Sequence, residues 1–159
     1  MTTVTFIDTS VLCELLQVPG KSSPTRKADV VAELDRRWRA GERFVIPVTA
    51  MVETGNHIAQ CDGDRYEIAG RLVRLLRSAA AEDGYWRVLQ TRLDSDFLTA
   101  LCDGDSTGRS FEALAAAKVG AGDVALLVER DQLIAGSAFT SAHVWTLDAA
   151  LAAQAAARR

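Results

Sequence analysis

The sequence predicts an α/β fold in which a parallel sheet carries helices on both faces. Two observations point there. Short apolar runs bounded by turn residues recur along the chain, and stretches with apolar residues every three or four positions separate them. Parallel neighbours need long crossover connections, which such helical stretches supply. With 159 residues, 48% of them hydrophobic, the chain fits a single domain over 1–159 that buries most of the surface its unfolded form exposes.

The elements follow in order. TVTFI, residues 3–7, reads as a buried strand, and Ser10 to Gln17 as a helix stopped by Pro19-Gly20. KSSPT reads as loop, and ADVVAELDRRWRA, residues 28–40, as a helix ending at Gly41. RFVIPV, residues 43–48, is a second strand, and Thr49 a cap for the helix carrying AMVETGNHIAQ. An amphipathic helix runs from about Asp64 to Ala81. YWRVLQT, residues 85–91, alternates as a third strand does, and DSDFLTALC returns to helix. CDGDSTGRS is loop by composition, FEALAAAKVG is helical up to Gly120, and a further helix opens near Gly122-Asp123 through VALLVERDQLIA. HVWTL, residues 143–147, is the fourth strand, and DAALAAQAAARR closes as a helix with its arginines at the favourable end.

Composition excludes several classes. A net charge of −3 argues against nucleic-acid binding through overall charge, which depends on Lys and Arg neutralising phosphates. The Arg36, Arg37, Arg39 and Arg71, Arg74, Arg77 clusters read as solvated helix faces. Cys13, Cys61 and Cys102 are odd in number and widely spaced, so they read as small buried hydrophobes rather than a disulfide framework or zinc site. No leader and no span of about 20 apolar residues is expected, so the chain reads as soluble and cytoplasmic, with no membrane partner.

The chemistry lies at the strand ends, because function in open parallel sheets sits at the carboxyl edge. Asp8 follows the first strand and Asp148 the last, as VTFID and HVWTLD show. Glu53 lies about one turn into the helix after the second strand, and Asp123 opens a helix at GAGD. Taken singly, the aspartates read as caps or first-turn acids and Glu53 as helix surface. Packed together, like charges raise one another's pKa unless a cation offsets them. Mg²⁺ or Mn²⁺ suits such an oxygen-only set.

FIDTS near the start, the acids in PVTAMVETGNHI and AGDVALLVE, and the closing WTLD together resemble the PIN-domain ribonucleases, most closely the VapC-like toxins of bacterial toxin–antitoxin pairs. The resemblance spans essentially the whole chain and rests on order and spacing. It implies a three-layer α/β/α domain with a central, mostly parallel sheet of four or five strands. The implied activity is Mg²⁺- or Mn²⁺-dependent endoribonuclease cleavage of RNA phosphodiesters, with a cognate antitoxin and a homodimer as partners. Asp8, Glu53, Asp123 and Asp148 stand where the family's metal-binding acids stand, and Ser10 and Thr146 where hydroxyls support them. The region from about Asp94 to Gly120 exceeds what a minimal toxin needs, and no aromatic-rich basic RNA face is evident.

Other patterns fail on arithmetic or chemistry. DGDST, residues 103–107, mimics the nucleophile motif of haloacid-dehalogenase-like phosphatases, but too few residues follow it for the remaining strands and helices. An EF-hand starting there would have Leu114 as its twelfth residue, which supplies no carboxylate. A receiver-like signalling module needs paired acids after the first strand, and only Asp8 is present. An RNA-processing nuclease outside toxin–antitoxin systems and a non-catalytic binding module are the remaining alternatives. His57 and His143 read as packed or exposed, and Trp38, Trp86 and Trp145 as core or interface.

Overall fold

The computed structural model describes residues 2–137 and 141–156. It is an α/β fold with an open parallel sheet of three strands in the order β2-β1-β3, formed by β1 (Thr3–Ile7), β2 (Arg43–Val45) and β3 (Ser141–Trp145). Among the described residues eight α-helices accompany them: α1 (Thr9–Leu16), α2 (Pro24–Arg39), α3 (Val48–Gln60), α4 (Arg65–Ala80), α5 (Ser95–Asp103), α6 (Phe111–Ala116), α7 (Ala121–Gly136) and α8 (Ala149–Ala156). Among the described residues no helix is long and apolar enough to cross a membrane.

Alternation along β1 divides the core between two faces. Ile7 meets Phe44 and Trp145 on one side, under Val11 and Leu12 of α1 and Val30 and Leu34 of α2. Val4 and Phe6 turn to the other side, against Leu126 and Leu127 of α7 and Leu151 of α8. The layers are helix, sheet, helix. α7 is apolar nearly all round because it packs on β3, α3, α5 and α6 at once, and every residue from Val124 to Arg130 is buried. Phe97 of α5 and Leu114 of α6 seat the region after Asp94 against it.

Several expectations change, among them the bounds of two strands: the second ends at Val45 rather than at residue 48, and the last spans Ser141–Trp145 rather than 143–147. The sheet has three strands, not four or five, because residues 85–91 make only one parallel bridge, Trp86 to Phe44. Phe44 N–H donates to the Tyr85 carbonyl and Arg87 N–H to the Phe44 carbonyl, each at 2.9 Å, and there the ladder stops. Val88 N–H, on the other edge of that segment, is taken by Glu82 Oε1 at 3.0 Å. KSSPT is not all loop: Ser23 caps α2 and Pro24 occupies its first turn, where a missing N–H costs nothing. Thr49 is inside α3, whose N-cap is Pro47, and its hydroxyl instead donates to the Gly122 carbonyl at 3.4 Å. Cys102 is exposed, unlike Cys13 and Cys61.

Arg36 and Arg37 pair with Glu33 and Arg39 with Asp35 on their own helix, and in the second cluster Arg71 pairs with Glu67. Arg37 also stacks 4.9 Å over the Trp145 ring, so it is more than solvated surface. Trp86 and Trp145 are buried, and Trp38 is exposed. The closing Arg158 and Arg159 lie outside the described residues.

Candidate metal centre

β1 ends at Ile7, and Asp8 immediately caps α1, its N–H donating to the Trp145 carbonyl at 3.0 Å. That bond joins the ends of β1 and β3. Asp8 Oδ2 accepts from the hydroxyls of Ser10 and Thr146, both at 2.7 Å. Thr146 Oγ1 in turn accepts the Asp148 N–H at 2.9 Å, and Ser10 Oγ accepts the Leu147 N–H at 2.9 Å. Two hydroxyls thus tie the segment after β3 to the segment after β1.

Asp148 caps α8, its Oδ1 accepting from Ala150 N–H at 2.8 Å and Leu151 N–H at 3.0 Å. Asp123 sits in the first turn of α7, where its Oδ2 accepts from Gly120 N–H at 3.2 Å. Glu53 reaches the same place from α3. Its Oε2 accepts from the Thr9 hydroxyl at 2.8 Å, while the rest of its carboxylate lies against Gly122, where any Cβ would overlap it. Gly122 is therefore the residue that lets α3 deliver an acid to the α7 N-terminus.

These four acids line one cleft of about 430 Å³ at the carboxyl edge of the sheet, with Thr9, Ser10, Cys13, Glu14 and His57 in its walls and Lys21 and Arg26 among its lining. Each aspartate does cap or brace a helix end, as its bland reading required, yet that uses a single oxygen. Asp8 Oδ1, Glu53 Oε1, Asp123 Oδ1 and Asp148 Oδ2 accept no hydrogen bond among the described residues.

The acids act on one another. Asp123 is pushed up to about 6, first by burial and then by the charges of Asp8, Glu53 and Asp148, against the pull of the Gly120 N–H. Cys13 in the wall is pushed up to about 11, chiefly by burial, with Asp8, Glu14 and Glu53 adding to it and Lys21 opposing. Its thiol stays protonated at neutral pH and offers no thiolate nucleophile or ligand.

The donor set fits a hard divalent cation: carboxylate oxygens only, four of them without a protein donor, in mutual repulsion that positive charge relieves. It is not a closed cage. Among the described residues no three or more His, Cys, Asp or Glu groups stand close enough to hold an ion as they are.

Asp8, Glu53, Asp123, Asp148, Ser10 and Thr146, all named from the sequence, stand at this edge. Thr9, Glu14, Lys21 and Arg26 also line the cleft without having been named as site residues, and so does the half-buried His57, which reads from the sequence as packed or exposed. His57 carried a signal, four residues beyond Glu53 on one helix face. Nothing local marked the others. The chain matches no protein-family model, no curated protein and no solved structure.

Proposed function

We propose that the chain is a Mg²⁺- or Mn²⁺-dependent endoribonuclease that hydrolyses RNA phosphodiesters, and that it serves as the toxin of a type II toxin–antitoxin pair. The observation that carries the nuclease reading is the convergence of Asp8, Glu53, Asp123 and Asp148, from four separate segments, on one cleft at the sheet's carboxyl edge. When bound, a divalent ion supplies a water of lowered pKa and neutralises charge that builds on a phosphodiester. Asp8 is the central ligand, with one oxygen immobilised by Ser10 and Thr146 and the other available. Asp123 and Asp148 would hold the ion directly or through water, and Glu53 would hold it or orient a water beside it, with Thr9 fixing the angle of its carboxylate. The protonated Cys13 leaves no competing thiolate.

The toxin role rests on the PIN-domain resemblance of FIDTS and the acids that follow. In that role a cognate antitoxin covers the acidic edge, and the chain forms a homodimer through apolar helix surface. Val31 and Trp38 of α2, each a little under half exposed, support such a surface. The test is RNA cleavage with Mn²⁺, with chelator, and in Asp8→Asn. Activity in the first alone is expected; equal activity in all three contradicts the reading.

A further inference from the structure

Lys21 and Arg26 are the two cations lining the acidic cleft, and they are not equivalent. Arg26 Nε is committed to Glu14 Oε1 at 2.6 Å, and the Glu14 side chain is only 2% exposed. Among the described residues, the Lys21 ammonium has no carboxylate within ion-pair distance, although five carboxylates line the same cleft. Its field still reaches the cleft wall, since it draws the Cys13 thiol down against the surrounding acids.

The turn that presents Lys21 is held from several directions. Gln17 closes α1 with a left-handed φ of 53°, and Gly20 follows at 77°. Val18 is fully buried among Ile58, Ile68 and Leu72 of α3 and α4. Its carbonyl accepts from Lys21 N–H and from Ser22 Oγ, both at 3.0 Å. Ser23 N–H donates to Glu14 Oε2 at 3.0 Å. Pro19 presses on Gly63, where a Cβ would stand 2.9 Å from Pro19 Cγ. The Lys21 backbone is thus fixed relative to the cleft, and a ligand has only one side chain left to order.

A cleft rich in carboxylates repels a polyanion, and an ion held by four of them offsets that repulsion at one phosphate only. The neighbouring phosphates still need a partner. We propose that Lys21 binds a backbone phosphate of the RNA strand beside the one that Asp8, Glu53, Asp123 and Asp148 address, and so holds the strand across the cleft. The inference rests on the nuclease reading. A lysine suits it as a compact charge able to follow a flexible single strand.

The test is steady-state cleavage of single-stranded RNA with Mn²⁺ over a series of monovalent salt concentrations, for the wild type, Lys21→Met, Lys21→Arg and Lys27→Met. Lys27 carries the same charge but does not line the cleft. Lys21→Met is expected to raise KM about tenfold, a loss in the range of one charge-assisted hydrogen bond, with kcat nearly unchanged. The slope of log KM against log salt is expected to shrink by about 0.7, one single-strand phosphate contact. Lys21→Arg keeps the wild-type slope, and Lys27→Met behaves as wild type. Wild-type KM and slope in Lys21→Met, or an equal change in Lys27→Met, overturns the inference while leaving the nuclease reading intact. Absence of Mn²⁺-dependent cleavage by the wild type overturns both.

Discussion

The Glu53 carboxylate occupies the space that a side chain on Gly122 would fill: a Cβ there would overlap Oε1 and stand 3.0 Å from Cδ. α3 and α7 meet at this point, and the absence of one methyl group decides whether their two acids, Glu53 and Asp123, share a cleft.

Gly122→Ala therefore separates stability from function. Gly122 lies in the first turn of α7, where the helix-propensity gain of alanine is smaller than the about 1 kcal/mol of a helix interior, and it offsets the loss of the Thr9–Glu53 bond, so the thermal midpoint should change little. Glu53 must rotate away, and a displacement of about 1 Å in a catalytic group can cost about 10²-fold in rate. RNA cleavage is expected to fall by that order in a folded variant. Full activity in Gly122→Ala would show that the position of Glu53 does not matter.

Thr146 links two acids, donating to Asp8 and accepting from the Asp148 N–H. Thr146→Val keeps the shape and removes both bonds. Mn²⁺ affinity, followed by titration calorimetry, is expected to drop about 10- to 100-fold, as for other residues that orient metal ligands. The stability cost should be about 1–3 kcal/mol. Unchanged affinity would leave Thr146 as a strand-end brace and nothing more.

Burial raises two carboxyls, Asp123 to about 6 from 3.8 and Glu129 to about 7 from 4.5. Between those values the folded chain keeps protons that the unfolded chain has released, so stability falls as pH rises through the window. In chelator, the thermal midpoint should decline from about pH 4.5 to 7, and Glu129→Gln should flatten the upper part of that decline. Mn²⁺ should raise the midpoint more at pH 7.5 than at pH 5, because ligation requires ionised acids. Glu33 acts outside this window: Arg36 and Arg37 hold it down to about 2, so the stability it contributes disappears only as pH falls from about 4.5 toward 2. An equal Mn²⁺ effect at both pH values would contradict binding at these carboxylates.

Phe44 is fully buried, with its ring 5.6 Å from Tyr85, 6.4 Å from Trp86 and 6.2 Å from Trp145. It anchors the one bridge that holds the 85–87 segment to the sheet. Phe44→Ala is expected to cost about 3–5 kcal/mol in denaturant unfolding. A cost below about 1 kcal/mol would show that the segment repacks without it.

The first strand was legible because an apolar run and a polar terminus are both local features, and VTFID states its own burial and edge. HVWTLD marked the last strand less well: it spans Ser141–Trp145, only Trp145 in it is buried, and Thr146 and Leu147 separate it from Asp148. YWRVLQT has the same alternation, and its failure to form a full strand is not local: its neighbour β2 spans only Arg43–Val45, so a single bridge is all that it can offer. Glu53 and Asp123 were legible as acids at helix beginnings, but their closeness depends on Gly122, whose role shows only when α3 and α7 are packed. Thr9 and Lys21 lacked any signal for the same reason. One is defined by an acid 44 residues away, the other by the cleft that its turn overhangs.

The most direct test is Mn²⁺ binding by titration calorimetry at pH 7.5, comparing the wild type with Asp8→Asn and with no RNA present. Saturable binding by the wild type is expected, with at least about tenfold weaker binding once Asp8 loses its charge. Identical isotherms for the two proteins, or no binding by either, would contradict that expectation.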